Sequence, residues 1–229
     1  MKTFALKRST PIALALSAAF PFLAIAAPAG RVDFAVGSVN AIAPDGRSRA
    51  LAKGSEVHSG ETINCGDGRA QLRFSDGAQV SLLPGTQYRI DDYAFNGQPD
   101  GTEKGVFSLL KGGFRTITGL IGKANKQAYK VNTSTATIGI RGTEFLVLDE
   151  NGVTVSTGDG LVEVCSKAGC IVLAAGEAAV VAKADGTPVR VFNTGTDSTK
   201  NRTETPSVRI DYAASNDGLQ AVLPKSESG

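Results

Sequence analysis

The chain has 229 residues, with 24 Lys or Arg against 22 Asp or Glu, one histidine, no tryptophan and 27 glycines. A length of that order holds one or two domains. A charge so close to balance excludes the strongly basic face that nucleic-acid binding requires, and a single histidine leaves little material for acid–base or metal chemistry.

The first element is a targeting segment. Lys2, Lys7 and Arg8 precede an apolar run from Pro11 to Ala27 that ends on Ala24-Ile25-Ala26. A basic start, a short apolar run and a small-residue site are the layout of a secretory signal peptide. The run falls short of the ~20 residues that a helical span prefers, and Pro21 interrupts it. Residues 1–26 are therefore expected to be removed by cleavage between Ala26 and Ala27, leaving no membrane span. They hold three of the 24 basic and none of the 22 acidic residues, so the mature chain has a net charge of −1. The expected location is the periplasm, or outside the cell.

Residues 27–192 read as strand nearly throughout, as one all-β domain. Asp-Gly stands at 45, 67, 76, 100, 159, 185 and 217, and Asn-Gly at 96 and 151. These dipeptides favour tight hairpin turns because they tolerate positive φ. Between them lie short β-rich runs such as Ala70–Phe74, Gln79–Leu83 and Gly152–Ser156. There is an internal echo: Gly66-Asp-Gly68 leads to Gly77 and Gly85, and Gly158-Asp-Gly160 leads likewise to Gly169 and Gly176. Repeated strand–turn units predict a β-solenoid-like stack, with a β-sandwich as the alternative. Asp91–Lys104 is polar and turn-rich, a surface excursion. Gly105–Gly122 supplies more strand, with Leu109, Leu110 and Phe114 expected inside. Residues 193–229 are rich in Asn, Thr, Ser, Asp and Lys. They read as a polar flexible tail, with a short helix around Asp211–Ala221.

Residues 131–147 are the most informative stretch. They alternate small polar and apolar side chains like a strand with one buried face, break at Gly139-Ile-Arg141-Gly142, and resume as Phe145-Leu-Val147. A buried guanidinium needs partners for its five donors. In one reading Arg141 bonds to carbonyls where two coils meet, with Glu144 balancing its charge. In the other, Arg141 and the threonines at 133, 135, 137 and 143 form a polar recognition surface.

Other chemistry is sparse. His58 reads as solvated surface, and a Cys65–His58 pair would lack a third group to order it. The aspartates sit singly beside glycine, without the spacing of a calcium loop, and no phosphate loop, dinucleotide fingerprint or nucleophile elbow occurs. No catalytic, cofactor or metal residue is therefore expected. Tyr88, Tyr93, Tyr129 and Tyr212 offer a faint sugar-binding signal. Cys165 and Cys170 flank a four-residue turn, and an exported chain would oxidise them to a cross-hairpin disulfide, worth ~2 kcal/mol by chain entropy. Cys65 is left free, as a small buried apolar residue.

The order of motifs resembles the FecR domain. Leu51-Ala-Lys-Gly-Ser-Glu-Val-His-Ser-Gly-Glu-Thr-Ile63 is similar to its opening block, and Gly68–Thr86, with Gly-Arg-Ala-Gln-Leu-Arg-Phe-Ser-Asp-Gly, to the next. Gly112-Gly-Phe-Arg115 resembles a further strand. The signature block carries Thr133, Thr135, Thr137, Gly139, Arg141, Gly142, Thr143, Glu144 and Phe145, and Gly158–Val164 with Ala175-Gly-Glu177 resembles the close. The resemblance spans about Arg31 to Phe192. It implies a non-enzymatic β-solenoid-like periplasmic domain that takes part in envelope signalling by binding another protein, such as an outer-membrane or inner-membrane receptor. A carbohydrate- or peptidoglycan-binding module, with cell-wall glycan as ligand, is the alternative.

The targeting segment makes a direct prediction. Amino-terminal sequencing of the protein from its native host should start near Ala27, in the soluble envelope fraction. Intact Met1 in a carbonate-resistant membrane fraction would contradict it.

Overall fold

A computed structural model describes residues 27–191, 211–213 and 220–222. The expected signal segment 1–26 and most of the expected tail 193–229 lie outside these residues, as do the side chains of Arg141 and of residues 211–213 and 220–222. In chain order the strands are β1 Gly30–Val36, β2 Val39–Ile42, β3 Ser48–Ala50, β4 Glu56–Val57, β5 Thr62–Cys65, β6 Arg69–Phe74, β7 Gln79–Leu82, β8 Gln87–Ala94 and β9 Lys104–Ile117. A single-turn helix, α1 Leu120–Ala124, follows. Then come β10 Tyr129–Asn132, β11 Thr137–Asp149, β12 Val153–Ser166, β13 Gly169–Ala174, β14 Ala178–Val181 and β15 Val189–Val191. Two further strands, β16 Asp211–Ala213 and β17 Gln220–Val222, pair only with each other.

The first fifteen strands form one branched sheet that folds into two layers. One layer runs β3-β2-β5-β8-β9-β10-β11-β12-β13, the other β4-β1-β6-β7-β9-β11-β12-β14-β15. Strands β9, β11 and β12 belong to both. The first half of β9 pairs with β8 and β10, and its second half with β7 and β11. Likewise β11 pairs with β10 over Thr137–Gly139 and with β9 over Glu144–Asp149. β12 pairs with β14 over Val153–Ser156 and with β13 over Leu161–Ser166.

Each long strand changes the parity of its buried residues where it changes layer. In β11, Ile138 and Ile140 are buried before the break and Phe145 and Val147 after it. In β12, Val153 and Val155 give way to Val162 and Val164. An extra residue in a period-2 strand moves the following side chains to the other face, and the register slips between Arg141 and Phe145 supply it. The close approach at this point demands glycine: at Gly160, φ +74°, an added Cβ would lie 2.3 Å from the carbonyl oxygen of Gly142.

The all-β expectation holds. The solenoid-like description fits loosely, because every strand pair but β9–β10 is antiparallel. The internal echo is structural. β5 leaves its layer at Gly66-Asp-Gly68, a β6–β7 hairpin turns at Gly77, and a corner at Gly85 returns the chain. β12 leaves at Gly158-Asp-Gly160, the β12–β13 hairpin turns at Gly169, and a corner at Gly176 returns it with the layers exchanged. In both copies the corner glycine donates back toward the crossing, Gly85 N–H to Gly66 O (2.7 Å) and Gly176 N–H to Thr157 O (2.8 Å).

Four corners share one build: Ala52–Ser55, His58–Glu61, Leu83–Thr86 and Ala174–Glu177. In each, the fourth residue's N–H donates to the first residue's carbonyl, and the third is a glycine with φ of 86°, 86°, 76° and 82° respectively. That is the type II turn, which needs positive φ at its third position, and Pro84 presets the second position of one of them.

The core between the layers is aromatic. Phe107 packs on Phe74, Tyr88 and Tyr129 with ring centroids 5.2, 5.5 and 5.3 Å apart, and Phe114 packs on Tyr88 and Phe145 at 5.1 and 6.0 Å. Leu109 and Phe114 are buried as expected, but Leu110 is 45% exposed, since it alternates with Leu109 along β9. Where a helix is expected around Asp211–Ala221, residues 211–213 and 220–221 are strand, paired as β16 and β17; residues 214–219 lie outside the described residues. No helix among the described residues is long and apolar enough to cross a membrane.

This core predicts an asymmetry between two substitutions. Phe107→Ala should lower the unfolding free energy by about 3–5 kcal/mol, the cost of deleting a buried aromatic side chain. Tyr88→Phe should leave it unchanged or raise it, because the buried Tyr88 hydroxyl has no hydrogen-bond partner among the described residues and an unsatisfied buried group costs stability. Urea denaturation checks both, and a loss above about 1 kcal/mol for Tyr88→Phe would contradict the assignment.

Candidate functional site

The signature segment sits where β11 passes from one layer to the other, and most of its polar side chains fasten the fold. Thr133 closes the turn between β10 and β11: its Oγ1 donates to Ala136 O (2.9 Å) and accepts from Ala136 N–H (2.9 Å). Thr135 Oγ1 donates to Val181 O at 3.1 Å, tying the turn to β14. Thr143 is buried. Its N–H donates to Thr118 Oγ1 (2.9 Å) and its carbonyl accepts from Thr118 N–H and Oγ1 (3.0 and 3.1 Å). Phe145 lies in the aromatic core.

The expected Arg141–Glu144 partnership takes a different form on the Glu144 side. Glu144 Oε1 accepts from Arg115 Nε (2.9 Å) and Nη2 (2.5 Å). Arg115 stands opposite Leu146 across the β9–β11 ladder, two residue pairs from the Glu144–Ile117 pair and so on the same face of the sheet. Arg141 pairs through its backbone with Leu161, and its side chain lies outside the described residues. The Gly-Gly-Phe-Arg115 block stood in the sequence as a strand motif, but nothing in spacing alone joins residue 115 to residue 144.

Thr137 is exposed, and Gly139 lies between Lys130 of β10 and Glu163 of β12, its partners in the ladder. An added Cβ at Gly139 would meet nothing nearer than Glu163 Oε2 at 3.8 Å, so packing does not require glycine there. A glycine at mid-strand leaves backbone open to close approach by another chain. Among the described side chains here, Thr137 and the flanking Lys130 and Glu163 face outward around Gly139.

The remaining candidates resolve as follows. Tyr88 and Tyr129 are 0% and 2% exposed, and burial pushes both phenols up, so neither can stack on a sugar. Tyr93 is half-buried; its hydroxyl donates to Asp76 Oδ1 (3.1 Å) and accepts from Asp76 N–H (2.9 Å), and burial, then the nearby Asp76 charge, raise its pKa. The Tyr212 side chain lies outside the described residues. Asp76, expected as a turn residue, also accepts from Ile121 N–H (3.2 Å) and so anchors α1. His58 is partly exposed beside Glu56, its Nε2 3.9 Å from the carboxylate. The Cys165–Cys170 disulfide is present, bridging directly opposed residues of β12 and β13. Cys65 is free and buried, and burial pushes its thiol up to about 12.

Sequence reasoning missed two arginine clasps. Arg49 of β3 donates to Glu56 O of β4 (2.7 Å) and to the buried Glu61 carboxylate (2.8 Å). Arg190 of β15 donates to Val172 O of β13 (2.5 Å) and to Glu177 (2.6 Å). Each glutamate follows a corner glycine and accepts from the backbone N–H three residues earlier, His58 (2.9 Å) or Ala174 (2.7 Å). Each arginine thus ties the edge strand of one layer to the edge strand of the other. The Gly-Glu repeat at 60–61 and 176–177 was the available signal.

A two-layer β domain whose signature strand fastens both layers is the class that these contacts define. Residues 61–163 match the family model described as FecR protein, so this part of the chain carries a FecR domain. Two crystal structures, at 1.65 and 2.50 Å, of a candidate anti-sigma factor from Parabacteroides distasonis align with a TM-score of 0.45 and 20% identity, over 57% of this chain and 59% of that one. The chain thus spans under two thirds of that protein, and likeness of this degree carries nothing about function. No curated protein sequence matches the chain.

Two outcomes follow. In double-mutant cycles by urea denaturation, the Arg115–Glu144 coupling should be about 0.5–1 kcal/mol, as for a half-exposed pair, and exceed the Arg141–Glu144 coupling; the reverse order would restore the Arg141 pairing. In native protein at pH 8, Cys65 should stay unreactive to a thiol reagent until the chain unfolds, because a thiol so far above its usual pKa holds almost no thiolate. Rapid native labelling would contradict its burial.

Proposed function

We propose that residues 27–192 are an exported, non-enzymatic regulatory domain that works by binding another envelope protein. The observation that carries this reading is the FecR match over residues 61–163, which covers β9, β11 and most of β12, the strands that both layers share. The disulfide between Cys165 and Cys170 supports export, since such bridges persist in oxidising compartments. The contact surface in this reading is the outward row Lys130, Gly139, Glu163 with Thr137, where the backbone is accessible and opposite charges flank it. A receptor in the outer or inner membrane is the partner that fits an envelope signalling role. Burial of Tyr88 and Tyr129 removes the main support for a glycan ligand.

The experiment is in-cell crosslinking followed by capture of the tagged full-length chain, in wild type and in Gly139→Gln. The substitution should change the urea midpoint by no more than about 0.5 kcal/mol equivalent, as for surface positions, yet reduce capture of the envelope partner at least tenfold. Equal capture by both proteins would remove the outward row from the interface. Retention of both by purified cell wall, with no protein captured, would favour the glycan-binding alternative.

A further inference from the structure

The β15 end of the second layer is unfinished. β15 pairs with β14 on one side, Val189 opposite Val180 and Val191 opposite Ala178, and carries no described strand on the other. Its one charge, Arg190, is engaged by Glu177 and Val172 O. The edge therefore lacks the free outward charge that ordinarily blunts an edge strand. Val189 is 58% exposed. A cavity of about 350 Å³ opens beside it, lined by Val180, Ala182, Thr187, Val189, Val191 and Lys183.

A second unfinished element lies in the same chain. β16 and β17 form a hairpin in the register Asp211–Val222, Tyr212–Ala221, Ala213–Gln220. An isolated two-stranded hairpin is marginal in water and needs a further apolar surface. The sequence leading into β16, Val208-Arg-Ile-Asp-Tyr212, alternates apolar and charged residues as a half-buried strand does. Nineteen residues, 192–210, separate the hairpin from β15. A chain of that length reaches up to about 60 Å when extended. Tethering gives an effective concentration on the order of millimolar, so a weak contact suffices for docking in the same molecule.

We infer that the β16–β17 hairpin docks on the Val180–Val189–Val191 surface and adds strands to the second layer beyond β15. The hairpin gains the apolar surface that it lacks, and the exposed Val189 and the open edge of β15 are covered. The tail is then a built-in occupant of that edge, which any outside strand must displace.

The test uses the full chain. In hydrogen exchange, the amides of residues 189–191 should exchange at least tenfold faster in an Ile210→Asp/Tyr212→Asp variant than in wild type, while β11 amides stay unchanged. Equal rates at 189–191 would overturn the inference. Independently, Val189→Cys with Tyr212→Cys should form an intramolecular disulfide under mild oxidation, whereas Gln79→Cys with Tyr212→Cys, on the far part of the same layer, should not. Equal crosslinking of the two pairs, or a crosslink only between two molecules, would overturn it as well.

Discussion

The passage of β9, β11 and β12 through both layers is the constraint on which the rest of the molecule depends. A strand that serves two layers must find hydrogen-bond partners in each and must turn its buried face over at the crossing. The crossings consequently hold glycines in close approach, such as Gly142 against Gly160, and a register slip that lets Ile140 and Phe145 both face inward. Because the two inner faces share one aromatic core, the layers cannot slide past one another without opening the contacts of Phe107 and Phe114. The arginine clasps tie the layers to each other at the two ends of this arrangement, and the corner glutamates position them.

Much of the fold class was legible. The Asp-Gly and Asn-Gly pairs marked turns such as Gly46, Gly77 and Gly152, all at positive φ, and the echo between residues 66–85 and 158–176 marked a real repeated connection. The disulfide followed from a short turn between two apolar runs. Layer assignment was not legible, because alternation tells which side chains are buried and not against which sheet. The slip from Ile140 to Phe145 was visible as a break, yet a break does not reveal that the strand continues into another layer. The same limit explains the aromatic residues: Tyr88 and Tyr129 look alike in sequence whether they line a core or a sugar site, and only their place opposite Phe107 decides.

The site shows a parallel division. Sequence alone marked out 133–145 as a unit but could not separate fastening from recognition. The structure assigns Thr133, Thr135, Thr143, Glu144 and Phe145 to contacts within the domain and leaves Thr137 and Gly139 facing outward. Glu144 found its arginine in β9, a pairing that depends on the antiparallel β9–β11 register rather than on chain proximity. A signature mostly made of fastening residues gives the domain a rigidity set by the strands that the two layers share.

The continuity of β11 admits a direct measurement. Native-state hydrogen exchange across a denaturant series gives an opening free energy for each half of the strand. If both layers hang on shared strands, amides at Ile138 and Ile140 and those at Phe145 and Val147 should open together, with free energies within about 1 kcal/mol of each other and of global unfolding. If the half beyond Gly142 instead opens several kcal/mol more easily while the first half stays protected, the layers are separate folding units and shared strands do not hold the domain together.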